Sequence, residues 1–176
     1  MGRKLIHKGP VVDLGSETVT LPNGTSLSLD IVRHPGGAAV VALNSNEEIC
    51  LLHQFRHAAG GWLWELPAGK IDPNEQAGTT ASRELAEEAG VKSKQLTSLG
   101  KILTTPGFCD EAVFLFLATD LSQCALQQEE HEVIDIHWIK FHKAIEMIHT
   151  GEIVDAKTIA GLFYATRYLS HKDTIA

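Results

Sequence analysis

Apolar and polar positions change period along the chain in a way that separates strands from helices. Leu27, Leu29 and Ile31 alternate with Ser28 and Asp30, the period of a half-buried strand. Thr18 to Leu21 is β-prone and Pro22-Asn23-Gly24 is a turn signal, so residues from about 11 to 33 are expected to form a hairpin. His34-Pro35-Gly36-Gly37 punctuates the chain, and two strands follow, Ala38 to Leu43 and Ile49 to Phe55, joined by polar residues 44–48. Trp62 and Trp64 fall on one face of a further strand. From Glu75 the period becomes helical, with Ala77, Ala81, Leu85 and Ala89 every four residues, Asp72-Pro73-Asn74 at the start and Gly90 at the C-cap. Strand patterns return at Ser98 to Leu103, Ala112 to Ala118 and Val133 to Ile139, and two helices fit about 141–149 and 156–169. Strands flanked by helices predict an α/β/α sandwich, preceded by a small N-terminal antiparallel β-sheet.

Composition narrows this picture without changing it. The length of 176 residues suits a single domain, 1–176, with residues 1–36 as a hairpin subdomain and 37–176 as its core. An apolar share of 44% is that of a soluble globular protein, and no apolar run is long enough to span a membrane. The basic residues near Met1 lead into Gly9-Pro10 and not into an apolar stretch, so no secretory signal is expected. Cys50, Cys109 and Cys124 are widely spaced and form no CxxC pair, which points away from disulfides and zinc and toward the reducing cytoplasm. A formal net charge of -7 argues against a nucleic-acid partner. An anionic ligand would need a local cation.

Glu84, Glu87 and Glu88 lie three and four residues apart, so a helix presents their carboxylates on one face. Such a face can chelate a hard cation, although an acidic run on its own is usually just a solvated helix surface. The surroundings decide between the two. Gly69, Glu75 and then Arg83-Glu84-Leu85-Ala86-Glu87-Glu88-Ala89-Gly90-Val91 match every fixed position of G-x5-E-x7-R-E-U-x-E-E-x-G-U, with U apolar. The chain therefore resembles the Nudix hydrolase superfamily. The resemblance implies a loop-helix-loop metal site in a mixed-sheet sandwich that hydrolyses nucleoside diphosphates linked to another group.

Gln54-Phe55-Arg56-His57, residues 64–70, residues 105–111 with Pro106 sixteen residues after Gly90, and residues 151–158 are similar to the ADP-ribose pyrophosphatase branch. By that resemblance Glu84, Glu87, Glu88 and the carbonyl of Ala68 would hold Mg2+, with Mn2+ as an alternative. Arg83 would orient the carboxylates. Arg56 would grip the diphosphate, its alternative role being an ion pair with Glu65, itself a candidate at the substrate. Glu111 would reach a ribose hydroxyl, and Trp62 and Trp64 are candidates for stacking on a base or for packing in the core or a dimer interface.

Attack by water calls for a base, which the resemblance puts in the acidic loop 127–134, where Glu130 and Glu132 are the candidates. The expected substrate is ADP-ribose or a related nucleoside diphosphate sugar. GDP-sugars, dinucleotides and nucleoside triphosphates are alternatives within the class. A non-catalytic nucleotide-sensing module is the alternative outside it, disfavoured because every box carboxylate is retained. An N-terminal sheet with open edges further predicts a homodimer, and the resemblance implies that both chains line the site.

Overall fold

The structure is a computed structural model that describes residues 2–128 and 132–170. Its first three strands, β1 (Arg3–Lys8), β2 (Asp13–Thr20) and β3 (Ser26–Arg33), form an antiparallel sheet of their own. The expected hairpin is β2 and β3, in register from Asp13↔Arg33 to Thr20↔Ser26. β1 is an addition. All six of its residues are exposed, so it carries no alternation of burial from which a strand could be read.

Two further sheets build the body. β4 (Gly37–Ala42) runs parallel to β9 (Ala112–Gln123) and antiparallel to β7 (Ala68–Lys70), while β8 (Val91–Leu103) closes the other edge beside β9. This sheet is therefore mixed. The second sheet is antiparallel, with β5 (Glu48–Arg56) between β10 (Ile134–Lys140) and β6 (Gly61–Glu65). β4 and β5, consecutive in sequence, thus enter different sheets, with the isolated bridge Leu43↔Ile49 between the end of one and the start of the other.

β4 is buried along its whole length, which explains its continuous run of small apolar residues. Ala39 and Val41 face one core cluster with Leu51, Leu115 and the helices α2 (Phe141–His149) and α3 (Ala156–Ser170). Ala38, Val40 and Ala42 face the other, with Cys50, Leu52 and the helix α1 (Ala77–Ala89). Helices thus cover both sides, as the strand-helix order predicts. Among the described residues no helix is long and apolar enough to cross a membrane.

Two local departures from the sequence reading position the site. α1 begins at Ala77 and not near Glu75, because Asn74 takes a left-handed φ of 68° and Gln76 is extended, leaving Glu75 in the preceding loop. β8 begins at Val91, directly after the Gly90 cap, and not at Ser98. Its polar first half is recruited by pairing with β9. The N-terminal sheet joins the body where Val32 accepts the N–H of Asp110 (3.2 Å) and donates to the carbonyl of Phe108 (2.8 Å), so the end of β3 is fastened to the loop after β8.

Candidate active site

A cleft of about 700 Å3 opens where α1, β7, the loop after β8 and the start of α3 meet. Glu84, Glu87 and Glu88 line it together with Arg56, Ala68, Glu111, Glu132, Asp155 and Lys157. Eight of the candidate site residues from the sequence, Arg83 among them, therefore line one cavity.

The acidic face of α1 is not a solvated surface. Glu84 is 8% and Glu88 2% exposed, both turned inward with Leu85 and Ala81. Glu88 accepts the N–H of Ala68 at 2.8 Å, which fixes a helix carboxylate against a strand backbone. Burial pushes the Glu88 carboxyl up to about 8, with Glu84 and Glu132 adding repulsion. Glu84 is also raised, by burial first, against the lowering effect of Arg83.

Arg83 organises the rest. Its Nη1 donates to Glu84 (2.7 Å) and Glu87 (3.0 Å), its Nη2 and Nε to Glu75 (3.1 and 3.2 Å), and its Nη2 also to the carbonyl of Lys70 at 3.3 Å. Hydrogen bonds from Arg83 and then Thr80 hold Glu75 down at about 2. Glu75 is thus the anchor for Arg83 and does not line the cleft. Gly69 has a role different from the backbone freedom its place at the start of the box suggests: its φ is ordinary, but a Cβ there would lie 1.9 Å from Oε1 of Glu84. Gly90, with φ 64°, is the left-handed C-cap of α1.

The opposite wall is basic. Arg56 donates from Nε and Nη2 to the two oxygens of Glu65 at 2.8 and 2.9 Å, a forked pair. Lys157 donates to the same carboxylate at 2.5 Å and lies 3.1 Å from Asp155. Burial alone would raise Glu65, but the bonds from Arg56 and Lys157 outweigh it and keep the carboxyl below its usual range. Glu65, 2% exposed, is therefore behind the cleft wall and not on it. Glu111 accepts from the Thr104 hydroxyl at 2.7 Å and lies 3.3 Å from His34.

Trp62 and Trp64 do share a strand face, where both stack on His53 with centroids 5.0 and 4.6 Å away. Neither lines the cleft. Glu130 lies outside the described residues. Lys157, Asp155 and His34 carried no sequence signal as individuals; a lone lysine or histidine in a polar tract looks like surface, and only folding brings it to the cleft.

The donor set fits a hard divalent cation: clustered carboxylates, two of them nearly buried, with no thiol or imidazole among them. Among the described residues no three Asp, Glu, His or Cys side chains are drawn together in this structure closely enough to hold a metal ion by themselves. Glu84 and Glu87 each give one oxygen to Arg83, and among the described residues the other oxygen of each takes no hydrogen bond.

Comparison with known proteins agrees with this geometry. A model of the NUDIX domain matches residues 33–162, and the chain belongs to that family. It is 37% identical to the ADP-ribose pyrophosphatase of Bacillus subtilis (strain 168), over 99% of this chain and 94% of that enzyme. It is also 37% identical to the ADP-ribose pyrophosphatase of Mycobacterium tuberculosis (strain ATCC 25618 / H37Rv), over 89% of this chain and 77% of the relative. A crystal structure of an ADP compounds hydrolase superposes with a TM-score of 0.84 at 20% identity, covering 98% of this chain and 94% of the other, and shares the fold.

Two expectations follow. Gly69→Ala should displace only the flexible end of Glu84, so calorimetry should show Mg2+ affinity falling about tenfold or more with little change in Tm; unaltered affinity would count against this role. The raised carboxyl of Glu88 makes the folded state bind its proton more tightly than the unfolded chain. In EDTA, stability should therefore decline from about pH 4.5 to about 8, by at most about 1.4 kcal/mol per pH unit. Thermal unfolding across that range should flatten in Glu88→Gln, and an identical slope in both proteins would refute the assignment.

Proposed function

We propose that this chain hydrolyses the diphosphate bond of ADP-ribose or a closely related nucleoside diphosphate sugar, releasing a nucleoside monophosphate and a sugar phosphate, with Mg2+ or alternatively Mn2+ as cofactor. The observation that carries the reading is the pairing, in one cleft, of buried Glu84 and Glu88 with the forked cation Arg56. The family and the named activities of the relatives support it.

Glu84, Glu87 and Glu88, with the carbonyl of Ala68, would hold the metal, which neutralises charge on the diphosphate and lowers the pKa of a bound water. The chain's own groups do the positioning. Arg56 keeps its Nη1 amino group beyond the pair with Glu65, and that group can bind a phosphate oxygen. Arg83 binds no substrate in this reading; it holds Glu84 and Glu87 in one orientation. Glu111 accepts from a ribose hydroxyl at the far end of the cleft.

When water attacks one phosphorus and the bridging P–O bond breaks, its proton must leave. Glu132 lines the cleft near Glu84 and Glu88 and is the described residue suited to take it. Glu130, the first choice from the sequence, lies outside the described residues and stands as a candidate beside it. Activity against ADP-ribose, ADP-glucose, GDP-mannose, UDP-glucose, NADH and dNTPs should favour diphosphate sugars, vanish in EDTA and be abolished by Glu88→Gln. One of Glu132→Gln and Glu130→Gln should lower kcat more than about tenfold. Turnover unaffected by EDTA would overturn the reading, and full activity in both loop variants would remove the base from that loop.

We also infer a homodimer. β1 is an exposed edge strand, and Leu5 and Ile6 of that strand and Val11 and Val12 of the connection after it are between 42% and 53% exposed, apolar surface that a second copy would cover. Trp62 and Trp64 do not line the cleft of one chain, so a stacking role for them requires a second copy to complete it. Light scattering at micromolar concentration should return twice the mass of the chain; a monomer would refute the assembly.

A further inference from the structure

Lys157 enters the cleft wall from the first turn of α3, and Arg56 enters from the end of β5. They meet on one carboxylate. Glu65 accepts both nitrogens of the Arg56 fork and the ammonium of Lys157, and is 2% exposed. Burying a carboxylate is costly unless it is well paired, and the Arg56 fork already gives each of its oxygens a donor. Two cations on one carboxylate leave a net positive charge at the wall. Asp155, 3.1 Å from Lys157, formally balances that charge, while its Oδ2 also accepts the N–H and the hydroxyl of Thr158 at 2.9 and 2.6 Å.

The bland explanation is that Lys157 simply ties α3 to β6. That tie already exists without it: the N–H of Leu66 donates to the Thr158 hydroxyl at 2.9 Å, and Thr158 is fully buried. Among the described residues Lys157 has Glu65 and Asp155 as its partners, which leaves one of its three N–H groups, and it lines the cleft as Arg56 does. Two donors held on a common acceptor, each with a hydrogen to spare, suit an anion with two adjacent charged groups.

We infer that Lys157 is a second diphosphate-binding cation, acting together with Arg56, and that Glu65 is the positioning residue that holds the two at a fixed separation. This rests on the proposed diphosphate substrate. It gives Glu65 a role behind the substrate in place of one touching it, and it gives Lys157 a role in specificity for a diphosphate over a monophosphate.

The test uses the full chain with Mg2+ and two probes, ADP and AMP, titrated calorimetrically into wild type, Lys157→Met, Lys157→Arg and Glu65→Gln, alongside KM and kcat for ADP-ribose. Lys157→Met should weaken ADP about tenfold and AMP less than about threefold, raise KM more than it lowers kcat, and be largely rescued by Lys157→Arg. Glu65→Gln carries the sharper sign. Removing a negative charge should strengthen anion binding if charge alone matters, whereas loss of positioning should weaken ADP. Should Glu65→Gln fail to fold, the Lys157 variants decide. Lys157→Met with ADP affinity and KM unchanged and only Tm lowered would overturn the inference, as would equal losses for ADP and AMP. If wild type turns over no diphosphate sugar but the ADP-over-AMP difference still depends on Lys157, the substrate reading falls and the diphosphate subsite stands.

Discussion

The contact between α1 and β7 is the constraint on which the site depends. Glu88 reaches the N–H of Ala68 and Glu84 occupies the space where a Cβ of residue 69 would be. A helix bearing carboxylates is thereby pressed against a strand edge, and the low dielectric of that junction raises the carboxyl groups that water would otherwise leave acidic. Arg83 relieves only part of the repulsion, because it bonds Glu84 and Glu87 and leaves Glu88 to the backbone. The fold therefore crowds together carboxyl groups that resist ionising side by side unless a further cation joins them.

Across the cleft the arrangement is inverted. A buried carboxylate, Glu65, is held below its usual range by cations that face the cavity. Anionic walls facing cationic ones are what a metal-bound diphosphate requires: oxygen donors for the cation on one side, N–H donors for the phosphates on the other. Each wall is secured by a residue that does not itself line the cleft, Glu75 behind Arg83 and Glu65 behind Arg56 and Lys157.

How much of this was legible in the chain depended on whether the signal was local. The carboxylates of α1, its Gly90 cap and the helix 141–149 follow from spacing within one element, and their placement in the structure agrees. β1 and the first half of β8 did not show because their exposed, polar residues acquire strand form through pairing partners elsewhere. The start of α1 was misplaced by two residues because a left-handed Asn74 interrupts an otherwise helical run. The box itself marks Gly69 as special, but the reason, the side chain of Glu84 arriving from fifteen positions away in the helix, is tertiary. Lys157 and Glu65 are ninety-two residues apart and could be joined only by the fold.

The two-sided burial of β4 has a reach beyond packing. On its α1 face it offers only Ala38, Val40 and Ala42, small side chains that set how closely the helix can approach. Those methyl groups act as spacers for the active site: any gain in volume there would lift α1 off the sheet and draw Glu88 away from Ala68. Core positions such as Val40 and Ala42, which do not line the cleft, are in this sense part of the ruler by which the enzyme measures its own catalytic distances.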